Sequence, residues 1–118
     1  MARYLGHGLT SDHVWAANGS NEIMQQLLQT FAGPGRRVLS FSPSYSMYPL
    51  LAQGVGAEFV TAPRNERFEV TPDAAAEAIR RERPSVTILC TPNNPTGTGM
   101  ELETITAAYD AVVETNGI

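Results

Sequence analysis

The loop Thr91–Gly97, with the sequence TPNNPTG, contains the residue types best suited to ligand chemistry in this chain. It follows the apolar run Val86–Cys90 and precedes a helical pattern, which predicts a position at the carboxyl end of a strand. Open α/β sheets bind ligands at that end of their strands. Pro92 and Pro95 stiffen the loop and make cis peptide bonds possible. A rigid asparagine amide can donate to a phenolate oxygen on a ligand ring, and the alternative is a proline turn that only connects two elements.

A second candidate is the turn Gly19-Ser20-Asn21, which precedes a helical pattern. A turn of glycine and small polar residues presents free backbone N–H groups at the positive end of a helix, and such a site binds phosphate. The alternative is an ordinary helix start, in which Ser20 or Asn21 caps the first turn. Taken alone, this turn favours the ordinary helix start.

A third candidate is Tyr45, which follows Pro43 and Ser44 after the next predicted strand. A tyrosine ring at this edge can stack on a flat heteroaromatic ligand. The alternative is a ring that packs against Tyr48 or Met47. The three candidates supply, in order, a phosphate turn, a stacking ring and a rigid amide donor. Because parallel strands place such junctions at one edge of the sheet, we expect the three to lie together.

The elements that position these residues alternate between strand and helix patterns, which predicts an α/β fold with a mainly parallel sheet in a three-layer αβα arrangement. Strands are predicted at 14–17, 38–41, 58–61 and 86–90. Helices are predicted from Gly19 to Phe31, over 45–53, from an N-cap at Thr71 to about Arg83, and after the TPNNPTG loop. The last helix has a predicted packing stripe of Leu102, Ile105, Tyr109, Val112 and Val113. Ile118 is predicted to begin another strand.

Composition excludes several classes of function. The chain has 118 residues, enough for one domain, and a net charge of −4, which argues against a nucleic-acid partner. No apolar run approaches the roughly 20 residues needed to span a membrane, and the N-terminus does not resemble a signal peptide. The single cysteine, Cys90, is expected to be a buried, inert thiol, which fits a reducing cytoplasmic location. We assign no metal site.

Three motifs carry a resemblance to a known family: Ala17–Glu22 (ANGSNE), Pro43–Tyr48 (PSYSMY) and Pro92–Gly97 (PNNPTG). In order and type they resemble the fold-type-I aminotransferases, which use pyridoxal 5'-phosphate (PLP), and within that group the histidinol-phosphate aminotransferase family. The resemblance extends from about Arg3 to Ile118. It implies that residues 1–118 form part of a PLP-binding large domain and that the chain is truncated at its C-terminus.

The resemblance also implies roles for individual residues. Gly19, Ser20 and Asn21 are expected to bind the cofactor phosphate. Tyr45 is expected to stack on the pyridine ring. Asn94 is expected to bond the phenolic oxygen of the ring, with the Asn94-Pro95 bond in the cis form.

The reaction implied by the resemblance is exchange of an amino group between histidinol phosphate and 2-oxoglutarate, by a homo-oligomer that is expected to be a dimer. One fact limits this expectation. All eight basic residues are arginine, so the chain lacks the lysine that holds PLP as a Schiff base. We therefore assign no catalytic residue to this chain and expect that it does not transaminate alone.

Other functions stay open at this stage. The parent enzyme could be another fold-type-I aminotransferase or a protein similar to phosphothreonine decarboxylase. The chain could also be a non-catalytic module that holds a phosphate ester at Ser20 and Asn21, or an assembly domain with a vestigial pocket.

Overall fold

A computed structural model describes residues 1–118. Its helices and strands alternate along the chain. In chain order they are α1 (Ala2–Leu5), a 3-10 turn (Ser11–His13), α2 (Gly19–Phe31), β1 (Arg37–Ser42), α3 (Met47–Gly54), β2 (Glu58–Pro63), α4 (Pro72–Glu82), β3 (Val86–Ile88) and α5 (Leu102–Glu114).

The three strands form one parallel sheet with the order β2-β1-β3. Leu39, in the central strand, pairs with Val60 on one side and with Thr87 on the other. The sheet confirms the predicted α/β fold with parallel strands. Three of the four predicted strands therefore form one sheet without gaps, with β1 between the other two.

Helices cover both faces of the sheet. On one face α4 and α5 pack against Leu39 and Phe41, and on the other face α2 and α3 pack against Val38, Val86 and Ile88. Successive side chains of a strand point to opposite faces, which is why neighbouring β1 residues belong to different cores. The arrangement is the predicted three-layer αβα sandwich.

Helix α4 begins as its sequence predicts. The Thr71 hydroxyl accepts a hydrogen bond from the Ala74 N–H at 3.3 Å, and Pro72 occupies the first helical position. The helix ends at Arg83, which adopts a left-handed conformation with φ of 45°, directly before the buried Pro84.

The predicted first strand, residues 14–17, is wrong. Val14 is extended, with φ −124° and ψ 119°, but the segment joins no sheet. Trp15 is 76% exposed, and its indole N–H donates to the Gln26 side-chain oxygen at 2.6 Å. A short apolar run has strand propensity, yet without a neighbouring strand its backbone stays unpaired.

The packing stripe predicted for α5 is also wrong in most of its members. Val112 is buried, whereas Leu102, Tyr109 and Val113 are 76%, 66% and 56% exposed. The face that packs consists mainly of small residues: Thr104, Ala108, Ala111 and Val112. Because α4 contributes Ala75, Ala76 and Ala78, the two helices meet through small side chains. The prediction that the largest apolar side chains of α5 form its buried face was therefore wrong.

Strand β3 ends at Ile88, two residues earlier than predicted. On its free side the Ile118 N–H donates to the Ser85 oxygen at 3.0 Å, and the Thr87 N–H donates to the Ile118 oxygen at 2.7 Å. These two bonds form the repeating unit of a parallel ladder, so Ile118 pairs with β3 as the first residue of a strand would. None of the helices is long and apolar enough to span a bilayer.

Candidate cofactor site

The start of α2 and the two βα junctions singled out from the sequence meet at the carboxyl edge of the sheet. The Asn21 side-chain N–H donates to the Tyr45 hydroxyl at 3.4 Å, which links the start of α2 to the β1–α3 junction. The Ser44 hydroxyl donates to the Asn93 Oδ1 at 3.0 Å, which links that junction to the TPNNPTG loop. Residues separated by 24 and 49 positions in sequence therefore form one continuous polar surface.

The start of α2 leaves backbone donors free. The Asn18 side chain makes no capping hydrogen bond, although it occupies the cap position. The Gly19 N–H donates to the Ala17 oxygen at 3.0 Å, whereas the N–H groups of Ser20 and Asn21 donate to no protein acceptor. Free N–H groups at a helix start attract anions. The structure lacks the side-chain cap that the ordinary interpretation of this turn requires.

Asn21 has an unsatisfied acceptor as well. Its Oδ1 atom is buried and has no hydrogen-bond partner, while its Nδ2 reaches Tyr45. A buried polar atom without a partner costs about 1–3 kcal/mol. Such an atom in a cluster of polar groups marks a place where a further donor fits.

Tyr45 makes the contact that its alternative interpretation predicts. Its ring centroid lies 5.5 Å from that of Tyr48, with an interplanar angle of 81°. This edge-to-face contact fixes the tilt of the half-buried Tyr45 ring. Packing against Tyr48 and stacking on a ligand are compatible, because the edge contact leaves a face of Tyr45 available.

The two adjacent asparagines of the loop have different environments. Asn93 is 2% exposed and accepts from the Ser44 hydroxyl, while its Nδ2 donates to the Pro43 oxygen at 3.1 Å and to the Thr96 hydroxyl at 2.8 Å. The Asn94 side chain is exposed and makes no hydrogen bond, and its backbone N–H reaches the Cys90 sulfur at 3.5 Å. Asn94 therefore keeps an amide that no protein group uses.

The peptide bond between Asn94 and Pro95 is cis, as expected. The Thr91-Pro92 bond, for which the sequence made a cis form possible, is cis as well, and so is Ser42-Pro43.

Cys90 differs from its prediction, because the thiol is only partly buried and contacts the loop. Burial raises the pKa of Cys90, but hydrogen bonds from Tyr48, the Asn94 N–H and Ser44, together with the charge of Arg64, bring its pKa below the ordinary value. Burial and the neighbouring Cys90 raise the pKa of Tyr48. The thiol is therefore a polar member of the site edge and not an inert core residue.

Arg64 is the site residue that the sequence did not reveal. It follows β2, is 9% exposed, and donates from Nη2 to the Asn93 Oδ1 at 2.9 Å. The sequence shows only a single arginine after Pro63, a pattern typical of a solvated strand end. No local signal distinguishes it from the seven other arginines, because its burial depends on a loop some thirty residues away.

Comparison with known proteins identifies the family. The family described as "Aminotransferase class I and II" matches residues 1–118. The chain belongs to the class I and II aminotransferases. Members of this family depend on PLP. The cluster built from Asn21, Tyr45 and Asn94 therefore lies in a chain of a PLP-dependent family.

Two curated relatives of this aminotransferase chain are histidinol-phosphate aminotransferases. The protein of Paenarthrobacter aurescens (strain TC1) is 51% identical over 111 residues, covering 94% of this chain and 30% of the relative. The protein of Thermobifida fusca (strain YX) is 54% identical over 107 residues, covering 91% of this chain and 29% of the relative. The chain thus spans less than a third of the length of these relatives.

Solved structures share the fold. Aspartate aminotransferase from Thermus thermophilus, solved with maleate, has a TM-score of 0.75 and 27% identity over 84% of this chain and 26% of that chain. Histidinol-phosphate aminotransferase from Clostridium acetobutylicum has a TM-score of 0.71 and 22% identity over 84% of this chain and 28% of that chain. At that identity the second similarity shows the fold alone.

The residues at the carboxyl edge fit the chemistry of PLP, which combines a phosphate, a flat ring and a phenolic oxygen. The free N–H groups of Ser20 and Asn21 suit the phosphate, the Tyr45 ring suits the flat ring, and the free amide of Asn94 suits the phenolic oxygen. The buried, unpartnered Asn21 Oδ1 accepts hydrogen bonds and needs a donor, which the oxygens of a phosphate do not supply, so the fit rests on the free N–H groups and on Asn94.

Proposed function

We propose that this chain supplies one wall of the PLP site of an aminotransferase that exchanges an amino group between histidinol phosphate and 2-oxoglutarate. The observation that carries the proposal is the meeting of the start of α2 and two βα junctions at one sheet edge, with donors at Ser20, Asn21 and Asn94 that no protein group uses. The names of relatives about 50% identical support the substrate.

In this proposal each residue has a defined task. PLP, when bound, supplies an electron-poor ring that accepts electron density as the substrate loses its α-proton. The N–H groups of Ser20 and Asn21, beside Gly19, hold the phosphate at the positive end of α2. Tyr45 limits the tilt of the ring by stacking, and Asn94 donates to the phenolic oxygen. These groups bind and orient the cofactor and move no proton.

A second candidate is a module that binds phosphate esters without catalysis, which needs no lysine. It uses the same free N–H groups at Ser20 and Asn21 but needs neither Tyr45 nor Asn94. In both candidates the 118 residues alone do not transaminate, because they contain no lysine to bind the cofactor covalently and to remove the α-proton of the substrate. Incubation with PLP followed by borohydride is expected to leave every side chain unmodified, and a trapped side-chain adduct would contradict this.

The binding experiment uses the 118-residue chain and free PLP, measured by equilibrium dialysis. Ser20→Pro removes the backbone N–H, and proline is tolerated in a first helical turn, whereas Ser20→Ala keeps the N–H and is the matched control. We expect Ser20→Pro to weaken PLP binding about tenfold, the value of one charge-assisted hydrogen bond, and Ser20→Ala to leave it unchanged. Equal dissociation constants for the two variants would refute the phosphate assignment.

A competition experiment distinguishes the aminotransferase from the phosphate-ester module. Pyridoxal, which lacks the phosphate, and a phosphate ester without an aromatic ring compete against PLP. The aminotransferase candidate predicts that Asn94→Ala weakens PLP and pyridoxal but not the plain ester. If the plain ester binds as tightly as PLP and Asn94→Ala has no effect, the phosphate-ester module is the better description.

Homo-oligomerisation, with a dimer as the expected state, and a cytoplasmic location are parts of the same proposal. Exposed aromatic side chains, Trp15 at 76% and Tyr109 at 66%, give surfaces suited to association. Solution scattering that shows a monodisperse monomer at high concentration would argue against association through this chain.

A further inference from the structure

Arg64 joins three segments at the carboxyl edge of the sheet. Its Nε donates to the Phe41 oxygen in β1 at 3.2 Å, and its Nη1 donates to the Phe68 oxygen in the β2–α4 loop at 3.1 Å. Its Nη2 donates to the Asn93 Oδ1 at 2.9 Å. A planar guanidinium with five N–H donors can bridge three acceptors in fixed directions, whereas an ammonium on a flexible stem cannot.

This arginine is unlike the paired arginines on the surface. Arg37, Arg67, Arg80 and Arg81 each form an ion pair with a glutamate, and Arg64 forms none. Desolvation by burial lowers the pKa of Arg64. A buried charge held only by carbonyl and amide oxygens carries a desolvation cost. An apolar side chain would fill this buried position without that desolvation cost. The hydrogen bonds of Arg64 therefore indicate a role other than stability alone.

The contact with Asn93 fixes the whole loop. The Asn93 N–H donates to the Thr98 oxygen at 2.8 Å, and the Gly97 N–H donates to the Asn93 oxygen at 2.7 Å. The Asn93 side chain in turn holds the Pro43 oxygen and the Thr96 hydroxyl. Asn94 is the next residue, and its own side chain has no protein contact that could hold it. The position of the Asn94 amide therefore depends on how firmly Asn93 is held.

We propose that Arg64 is a positioning residue that acts through Asn93 to hold the free Asn94 amide where it meets the phenolic oxygen of the cofactor. The cofactor part rests on the proposed function, and the loop part does not. Arg64 itself touches no ligand in this arrangement. Its effect on binding passes entirely through the loop.

The first test follows amide hydrogen exchange by NMR in the 118-residue chain. Arg64→Lys keeps the charge but loses the three-way bridge, and Arg80→Lys makes the same chemical change in an exposed ion pair. We expect Arg64→Lys to speed exchange of the Asn93 and Gly97 amides about tenfold relative to the Leu39 amide in β1, as loss of roughly one hydrogen bond allows. Arg80→Lys is expected to change this ratio by less than about twofold.

The ratio of the exchange rates of the loop amides to that of the Leu39 amide distinguishes positioning of the loop from stabilisation of the whole fold. If Arg64 served only to stabilise the fold, the loop amides and the Leu39 amide would speed up by the same factor. Equal factors, or loop amides that do not change at all, would overturn the inference. Cofactor binding plays no part in this measurement, so it stands whether or not the chain binds PLP.

The second test is a double-mutant cycle with Arg64→Lys and Asn94→Ala on the affinity for pyridoxine 5'-phosphate, which has the phenolic oxygen but no aldehyde that could react with the new lysine. If Arg64 acts through Asn94, Arg64→Lys weakens binding and the double variant binds no more weakly than Asn94→Ala alone. Additive effects would show that Arg64 acts by another route and would overturn the inference. If the unmodified chain binds no PLP, the proposed function fails, while the exchange ratio still decides whether Arg64 holds the loop.

Discussion

At the two ends of the β-sheet, an arginine side chain is held by different kinds of partner. At the amino ends Arg37 pairs with Glu58 at 2.9 Å and with Glu82 at 3.4 Å, beside an open cleft of about 600 Å³. At the carboxyl ends Arg64 is buried and contacts only carbonyl and amide oxygens. The larger cleft therefore lies at the amino ends, where Arg37 is paired with glutamates while Arg36 and Arg83 form no ion pair.

This difference shows why cleft size is a poor guide to the site. Exposed ion pairs satisfy each other and leave no excess donor for a ligand. At the carboxyl edge the cluster of Asn21, Ser44, Tyr45, Asn93 and Asn94 contains no carboxylate, and several of its donors are unused. We expect such an edge to attract an anionic, ring-bearing ligand, whereas the cleft at the amino ends places Glu58 and Glu82 among its arginines.

Replacing the two contrasted arginines should give the largest difference. Arg64→Met removes three hydrogen bonds, of which only the one to Asn93 Oδ1 has a second donor, the Ser44 hydroxyl, and it is expected to lower the free energy of unfolding by about 3 kcal/mol. Arg37→Met breaks only exposed ion pairs and is expected to have a much smaller effect. Urea unfolding of both variants measures this, and equal losses would mean that the two ends do not differ as described.

The adjacent asparagines of the loop should separate stability from binding. Asn93→Ala removes four side-chain hydrogen bonds, one of them buried and three partly buried, and is expected to destabilise the fold by about 2 kcal/mol. Asn94→Ala removes an exposed side chain and is expected to change stability by less than about 0.5 kcal/mol. Urea unfolding should show the difference, and a large loss for Asn94→Ala would mean that its amide is not free.

Two helix starts provide a smaller contrast. Thr71→Ala removes the hydroxyl that caps α4 and is expected to cost about 1 kcal/mol. Asn18→Ala at the start of α2 is expected to cost less, because the Asn18 side chain makes no capping bond there. Thermal unfolding of both variants tests this. A similar loss for Asn18→Ala would indicate that α2 is capped and that its N–H groups are not available to a phosphate.

The smallest effect concerns pH. Because the pKa of Cys90 is lower in the folded chain than in the unfolded chain, the unfolded chain binds more protons between the two values. Stability should therefore rise with pH from the folded value up to about 8.5, the ordinary pKa of a free thiol, and Cys90→Ala should remove that rise. Urea midpoints at several pH values measure it, and an unchanged slope in Cys90→Ala would contradict the assignment.

The sequence predicted the features that local rules control. The Thr71 cap and the bounds of α2 follow from a few neighbouring residues, and the parallel strands follow from the alternation of strand and helix patterns. Features that depend on distant partners were missed. Residues 14–17 have strand propensity but no neighbour, and α5 packs through Ala108 and Ala111 because α4 presents alanines. The burial of Arg64 depends on a loop that no local pattern connects to it.

The site followed the same division. The order of the three motifs predicted that Asn21, Tyr45 and Asn94 belong together, since parallel strands bring their ends to one edge. The partly exposed thiol of Cys90 could not be predicted, because β3 ends two residues earlier than its apolar run.

The chain contains one tryptophan and one cysteine. Trp15 is hydrogen-bonded to Gln26 on α2, and Cys90 contacts the backbone of Asn94. The molecule therefore has a natural fluorescence donor beside α2 and a unique attachment point for an acceptor dye next to the TPNNPTG loop. Energy transfer between the two can follow changes in the distance between α2 and this loop without any added label position.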